Sequence, residues 1–123
     1  LFHCCRLEVF IEKNQDNEET KLIILLNLPT KESKKYIFLS SKHQIIRIGK
    51  HKSNEISINS NITGISNVQC RIVNENNQWF LLDGAEGKPS RNGTWVSYNS
   101  QEQISLPQNL VILRIGATRL SLE

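Results

Sequence analysis

The alternation of apolar and polar positions makes the chain nearly all strand and turn. Arg6 to Ile11 alternates and is rich in β-branched residues, which predicts a strand. Asn14 to Glu19 is polar and reads as a loop. Lys21 to Leu28 is a second strand, and Pro29 to Lys35 a charged connection. Tyr36 to Ser40 and Gln44 to Ile48 are strands around a turn at Ser41, and Ile56 and Ile58 alternate with polar neighbours. Cys70 to Val73 and Gln78 to Leu82 flank Asn74-Glu75-Asn76-Asn77, a hairpin signature. Thr94 to Tyr98, Leu110 to Ile115 and Thr118 to Leu122 complete the series. No stretch sustains a helical period, and short strands at this spacing imply a β-sandwich or a barrel. There is no internal repeat, low-complexity tract or clear linker.

Composition narrows the class. A chain of 123 residues is by default one domain, long enough to bury a core without metals or disulfides. Its 38% hydrophobic and 22% charged content is that of an ordinary globular protein. The formal charge of +3 is mildly basic and does not by itself argue for nucleic acid, which usually needs a clustered stripe. The cysteines are Cys4, Cys5 and Cys70, an odd number with two adjacent. They form no disulfide framework and suit a reducing, intracellular setting. No apolar run approaches the ~20 residues of a membrane span. No signal peptide is evident, and the chain, which begins without Met, reads as a piece of something longer. Asn61-Ile62-Thr63 and Asn92-Gly93-Thr94 match the glycosylation acceptor pattern, which carries no meaning inside a cell.

Candidate catalytic chemistry is thin. His3, His43 and His51 sit in polar or terminal surroundings with no partner motif, so no nucleophile–base arrangement is indicated. Cys4 and Cys5 are adjacent rather than at ligand spacing, so no metal site is indicated. Gly84-Ala85-Glu86-Gly87-Lys88-Pro89-Ser90 hints at a phosphate loop. Its glycines are too close together, however, Pro89 intrudes, and no helix follows to supply a dipole. The chain reads as a non-enzyme with no cofactor.

What remains is a set of polar loop residues at strand boundaries. Gly49-Lys50 follows Ile45-Ile46-Arg47-Ile48, Gly64-Ile65-Ser66-Asn67 precedes the strand at Cys70, and Ser90-Arg91-Asn92-Gly93-Thr94 precedes the strand at Trp95. Taken singly, each is an ordinary strand end or turn: Ser66 can cap its own loop, and Asn-Gly is a tight-turn dipeptide. Their order carries more. It runs Ile48-Gly49-Lys50, Asn54-Glu55-Ile56-Ser57-Ile58, Ile65-Ser66-Asn67-Val68-Gln69-Cys70, Trp79-Phe80-Leu81-Leu82-Asp83, then Ser90-Arg91-Asn92-Gly93-Thr94-Trp95-Val96. The tail Leu110 to Leu122 contains Ile115-Gly116. In this order the chain resembles the forkhead-associated (FHA) domain from about Tyr36 to the end. Residues 1–35 are then amino-terminal strands and a connection, and residues 1–123 are one FHA domain.

The resemblance implies an all-β, FHA-type β-sandwich of two sheets and about eleven strands, with ligand loops at one end. It implies a module without catalytic activity that binds phosphothreonine peptides within a larger signalling or regulatory protein. A phosphate group carries close to two negative charges and three strong acceptor oxygens, and suits neutral and cationic donors held by a rigid scaffold. Carried over by position, Lys50 stands where the family has an arginine that reaches toward the phosphopeptide. Ser66 would donate its hydroxyl to a phosphate oxygen, Asn67 would contact the phosphate, and Arg91 would add positive charge. Asn92 would hold the peptide backbone. Gly49, Gln69, Gly93 and Thr94 would structure the loops. Threonine selectivity would come from a small apolar niche for the methyl group, which is worth about 0.8 kcal/mol when buried.

The sequence departs from the family pattern at four points. Lys50 replaces the arginine, and an ammonium cannot make the planar guanidinium fork. Gln69 replaces a histidine that braces the loop, and an amide can both donate and accept. Ser66-Asn67 stands where Ser-Arg is commoner, and Gly84 to Pro89 is a long segment between Asp83 and Ser90. These departures keep a second reading open: a degenerate FHA domain serving as a phosphorylation-independent protein–protein scaffold. Direct nucleic-acid binding through Lys31, Lys34, Lys35, Lys42, Lys50, Lys52 and Arg71 is a third. Those cations read instead as a solvated surface with few stacking aromatics. No membrane partner is indicated.

Overall fold

The computed structural model describes residues 6–13, 16, 19–28, 30–58, 64–76, 78–98, 102–105, 113–115 and 120–122, with side chains described as far as Trp95. Strands β1 (Arg6–Lys13), β2 (Thr20–Asn27) and β3 (Ser33–Leu39) precede β4 (Ile45–Gly49) and β5 (Ile56–Ser57). Then come β6 (Cys70–Glu75), β7 (Gln78–Asp83), β8 (Trp95–Tyr98), β9 (Glu102–Ser105), β10 (Leu113–Ile115) and β11 (Leu120–Leu122). One sheet has the order β3-β2-β1-β11-β8-β9, the other β10-β7-β6-β4-β5. No helix occurs among the described residues, so none is long and apolar enough to cross a membrane. His3, Cys4, Cys5, Asn61-Ile62-Thr63, Leu110, Gly116 and Thr118 lie outside the described residues.

Alternation does the packing. In β2, Leu22, Ile24 and Leu26 turn inward, as do Leu7 and Val9 of β1 and Phe38 of β3. They meet Ile46, Ile48, Ile56, Cys70, Ile72, Trp79 and Leu81 from the other sheet in a single buried cluster, so the two sheets pack face to face. Trp79 is the largest side chain in it, and its Nε1–H donates to Thr20 Oγ1 at 2.8 Å, which ties the sheets together through a polar bond inside the core. Burial, and secondarily the Asp83 charge, push the Cys70 thiol up to about 12 against the opposing pull of Arg71. Cys70 therefore stays protonated, a core residue and not a nucleophile.

One sequence expectation needs correction, and one strand carries no signal in the sequence. The connection after β2 is shorter than Pro29 to Lys35. Its turn closes with Lys31 N–H donating to Leu28 O (2.9 Å) and Leu28 N–H to Glu32 O (2.8 Å), and Ser33, Lys34 and Lys35 already pair with Asn27, Leu26 and Leu25. The charge of this segment has its reason at a sheet edge, where lysine is what edge strands carry. Glu102–Ser105, which has no apolar alternation, is a strand paired with β8, from Trp95↔Ser105 to Tyr98↔Glu102.

Topology gathers the loops. The end of β4 lies beside the start of β6 (Ile48↔Cys70), which lies beside the end of β7 (Cys70↔Asp83). The β4–β5 turn, the segment before β6 and the segment between β7 and β8 therefore share one end of the sandwich.

Candidate functional site

Gly49 ends β4 where the backbone of the next loop presses against it. A Cβ there would stand 2.4 Å from Asn67 O and 2.8 Å from Gln69 N. That proximity lets the two strands of chain zip together: Gln69 N–H donates to Ile48 O (2.7 Å), Lys50 N–H to Ser66 O (3.0 Å) and His51 N–H to Asn67 O (3.2 Å). Asn54, buried in the β4–β5 turn, adds a second donor to the same carbonyl, Nδ2 to Asn67 O at 2.7 Å. Gly49→Ala is accordingly expected to force the Ser66–Gln69 segment away from β4. The cost should be about 1–3 kcal/mol of stability, the usual penalty for overpacking against backbone that cannot yield, readable as a lowered midpoint in urea denaturation.

Gln69 links this segment to the next. Its Oε1 accepts from Ser66 N–H (3.1 Å), and its Nε2 donates to Gly93 O (2.7 Å) and Thr94 Oγ1 (3.1 Å). One amide thus uses both its donor and its acceptor function to join the two loops, in the position where a histidine brace stands in the resemblance. Thr94, buried at 3% exposure, in turn donates to Asp83 Oδ1 at 2.6 Å. Ser90 Oγ donates to the same oxygen at 2.6 Å, and Ser90 N–H to Asp83 Oδ2 at 3.1 Å. The carboxylate at the end of β7 therefore anchors both ends of Ser90–Thr94. Arg71 caps the strand end from the neighbouring strand, its guanidinium donating to Asp83 O (3.2 Å) and Gly84 O (2.6 Å).

Inside that frame, Gly93 takes a φ of +81°, open to glycine and strained for other residues, with nothing within 4 Å of its Cβ position. The bend leaves Arg91 and Asn92 exposed. Arg91 N–H donates to Ser66 Oγ at 2.9 Å, and Asn92 Nδ2 donates to Gly64 O at 2.9 Å. Lys50, Ser66, Asn67, Arg91 and Asn92 thus come from three loops stitched to one another. Among the described residues, the side chains of Lys50, Asn67 and Arg91 make no hydrogen bond or ion pair. The arrangement brings a hydroxyl, amides and two cationic residues into loops at one end of the sandwich, and among the described residues no carboxylate bonds to the two cationic side chains.

A model of the FHA domain matches residues 46–118, more than half of the chain. The chain belongs to the FHA domain family. A comparison with curated proteins gives no match. FHA domains are in general phosphopeptide-binding interaction modules and not enzymes. The matched span runs from Ile46 in β4 through β10 and takes in all three loops of the rim, while β1 to β3 precede it.

The FHA loops also hold residues whose contacts the sequence does not announce. Asn54 is legible only as a member of the ordered motif, since its partner lies 13 residues away. Glu55 Oε1 accepts from Arg47 N–H at 2.7 Å and fixes the β4–β5 turn to its own strand. His51 Nδ1 accepts from Ser53 N–H at 3.1 Å and lies 2.7 Å from Ser53 Oγ, a local turn of the kind short polar side chains make. Asp83 was visible only as a member of the motif, with no hint of its three contacts. A metal-binding group of His, Cys, Asp or Glu is not found among the described residues.

Proposed function

We propose that this FHA domain reads phosphothreonine in a segment of a partner protein, inside the cell, as one module of a larger signalling or regulatory protein. The carrying observation is the state of Ser66. Its Oγ accepts from Arg91 N–H, so its own proton remains to be given to another acceptor, and the uncommitted Lys50 and Arg91 side chains stand on the two loops whose amides bond to Ser66. A phosphate dianion, with three acceptor oxygens, matches a set of donors whose cationic side chains are bonded to no carboxylate among the described residues. In this reading Asn67 contacts the phosphate and Asn92 holds the peptide backbone, while Gly49, Gln69, Gly93 and Thr94 set the loop geometry. We read the amino-terminal strands as part of the same domain, a reading supported by the pairing of β1 with β11 and of β11 with β8.

One observation favours a phosphorylation-independent scaffold instead: Asn92 already spends an amide proton on Gly64 O, which closes the rim without ligand. A second amide proton and the Oδ1 acceptor remain for a peptide. The two readings separate on titrating the domain with a phosphothreonine peptide library and its unphosphorylated twin. Phosphate reading predicts selective binding. Loss of one charge-assisted bond in Ser66→Ala should weaken it about tenfold or more, as should Asn92→Ala, with the fold intact. Equal binding of both libraries selects the scaffold. Binding to random duplex DNA with a steep salt slope would select nucleic acid. Lys50→Arg is expected to keep or raise the affinity, since guanidinium adds a fork that ammonium lacks. A tenfold fall would remove Lys50 from the position of the family's arginine.

A further inference from the structure

The outward face of β1, β2 and β3 is unusual for a solvated sheet. Antiparallel sheets with one wet face alternate apolar and polar residues, yet Leu22 to Leu26 of β2 is apolar without a break. Leu22, Ile24 and Leu26 enter the core, so Ile23 and Leu25 point the other way. Register places Ile23 between Phe10 and Ile37 in one row across the three strands. The flanking rows are Glu8, Leu25, Lys35 and Glu12, Lys21, Leu39. Phe10, Ile23, Leu25, Ile37 and Leu39 stand outside the core cluster and outside the partly buried residues packed on it. Ile37 is 52% exposed, Phe10, Ile23, Leu25 and Leu39 are partly buried, and the Glu8 side chain is 14% exposed. A contiguous apolar patch of this kind, edged with charge, marks an interaction surface.

We propose that this face is where a second copy of the chain docks, sheet on sheet, about a two-fold axis parallel to β2. The charges select that occupant and that axis. On the outward face β1 carries the acids Glu8 and Glu12, and β3 carries the base Lys35. A two-fold along β2 lays β1 of each copy over β3 of the other. Glu8 then meets Lys35 of the second copy twice, Phe10 meets Ile37 twice, and Ile23 and Leu25 meet their own equivalents. An axis across the strands would put Glu8 over Glu12, acid on acid. Arg6, 4.0 Å from Glu8, stays at the border as its present partner. Lys21, on the axis, has Glu12 of its own chain beside it in register. The face is self-complementary only in the first arrangement, as an isologous contact requires.

Five apolar side chains per copy make a small interface, so the dimer is weak, with a dissociation constant on the order of tens of micromolar. Sedimentation equilibrium of the 123-residue chain tests it, with thermal melts confirming that each variant folds. A concentration-dependent monomer–dimer equilibrium is expected. Ile37→Lys should weaken it about tenfold or more, since the side chain is buried twice in each dimer. Lys35→Glu and Glu8→Lys should each weaken it alone. Mixed in equal amounts they should recover it, because each mutant side chain then faces an opposite charge. A monomer at concentrations of about 1 mM, a dimer indifferent to Ile37→Lys, or a mixture no stronger than its components would overturn the proposal.

Discussion

Asp83→Ala is expected to abolish phosphopeptide binding and to cost about 2–4 kcal/mol of stability. The carboxylate takes three hydrogen bonds, two from hydroxyls at 2.6 Å and one from an amide at 3.1 Å. Ser90 and Thr94 are 6% and 3% exposed, so water cannot freely replace the lost acceptor. The two ends of the Ser90–Thr94 loop would come loose together, and with them the Arg91 amide that meets Ser66 and the Asn92 amide that meets Gly64. Asp83→Asn keeps the shape but turns one acceptor into a donor facing donors, and should fall between the two. Urea denaturation gives the stability and peptide titration the affinity. Binding equal to the parent in Asp83→Ala would show that the loop holds its form without the carboxylate.

Trp79→Ala should have the largest effect on stability, a loss of about 3–5 kcal/mol, a large part of what a domain of this size possesses. The indole is 1% exposed and bridges the two sheets, and its removal also strips Thr20 of its partner in a buried position. Trp79→Phe separates the two contributions. It retains most of the ring volume and loses the hydrogen bond, with an expected cost of about 1–3 kcal/mol. Trp79 pairs with Asn74, next to the β6–β7 turn, at the far end of β7 from Asp83. Where the variant is still folded, its affinity for phosphopeptide should therefore match the parent. A fall in affinity at full folding would mean that the core and the rim are coupled, which the hydrogen-bond network does not suggest.

The strands that are plain in the sequence are those in which burial on one face imposes alternation, such as Arg6 to Ile11 within β1 and Cys70 to Val73 within β6. Where packing imposes nothing, the pattern fades. Ser33 to Lys35 lie at an exposed edge and read as loop, and Glu102–Ser105 is held by backbone pairing to β8 that no side-chain pattern announces. The rim was legible for a different reason. Each of its segments sits at a strand end fixed by the same few residue types, and their order, more than any one of them, carried the resemblance. The bonds that join the segments span 25 residues from Ser66 to Arg91 and 28 from Gly64 to Asn92. Polar contacts of that range leave no period in a sequence. Gln69 illustrates the limit: its identity suggested a brace, but only the folded chain supplies Ser66, Gly93 and Thr94 as its partners.

The most direct measurement on the central claim is an amide chemical-shift titration of the domain with one phosphothreonine peptide selected from the library. If three stitched loops form a single cradle for a phosphate dianion, the perturbed amides should cluster in 49–54, 64–69 and 90–94 together, and vanish with the unphosphorylated peptide. Shifts confined to one loop, spread over the sheet faces, or the same with and without phosphate would contradict it.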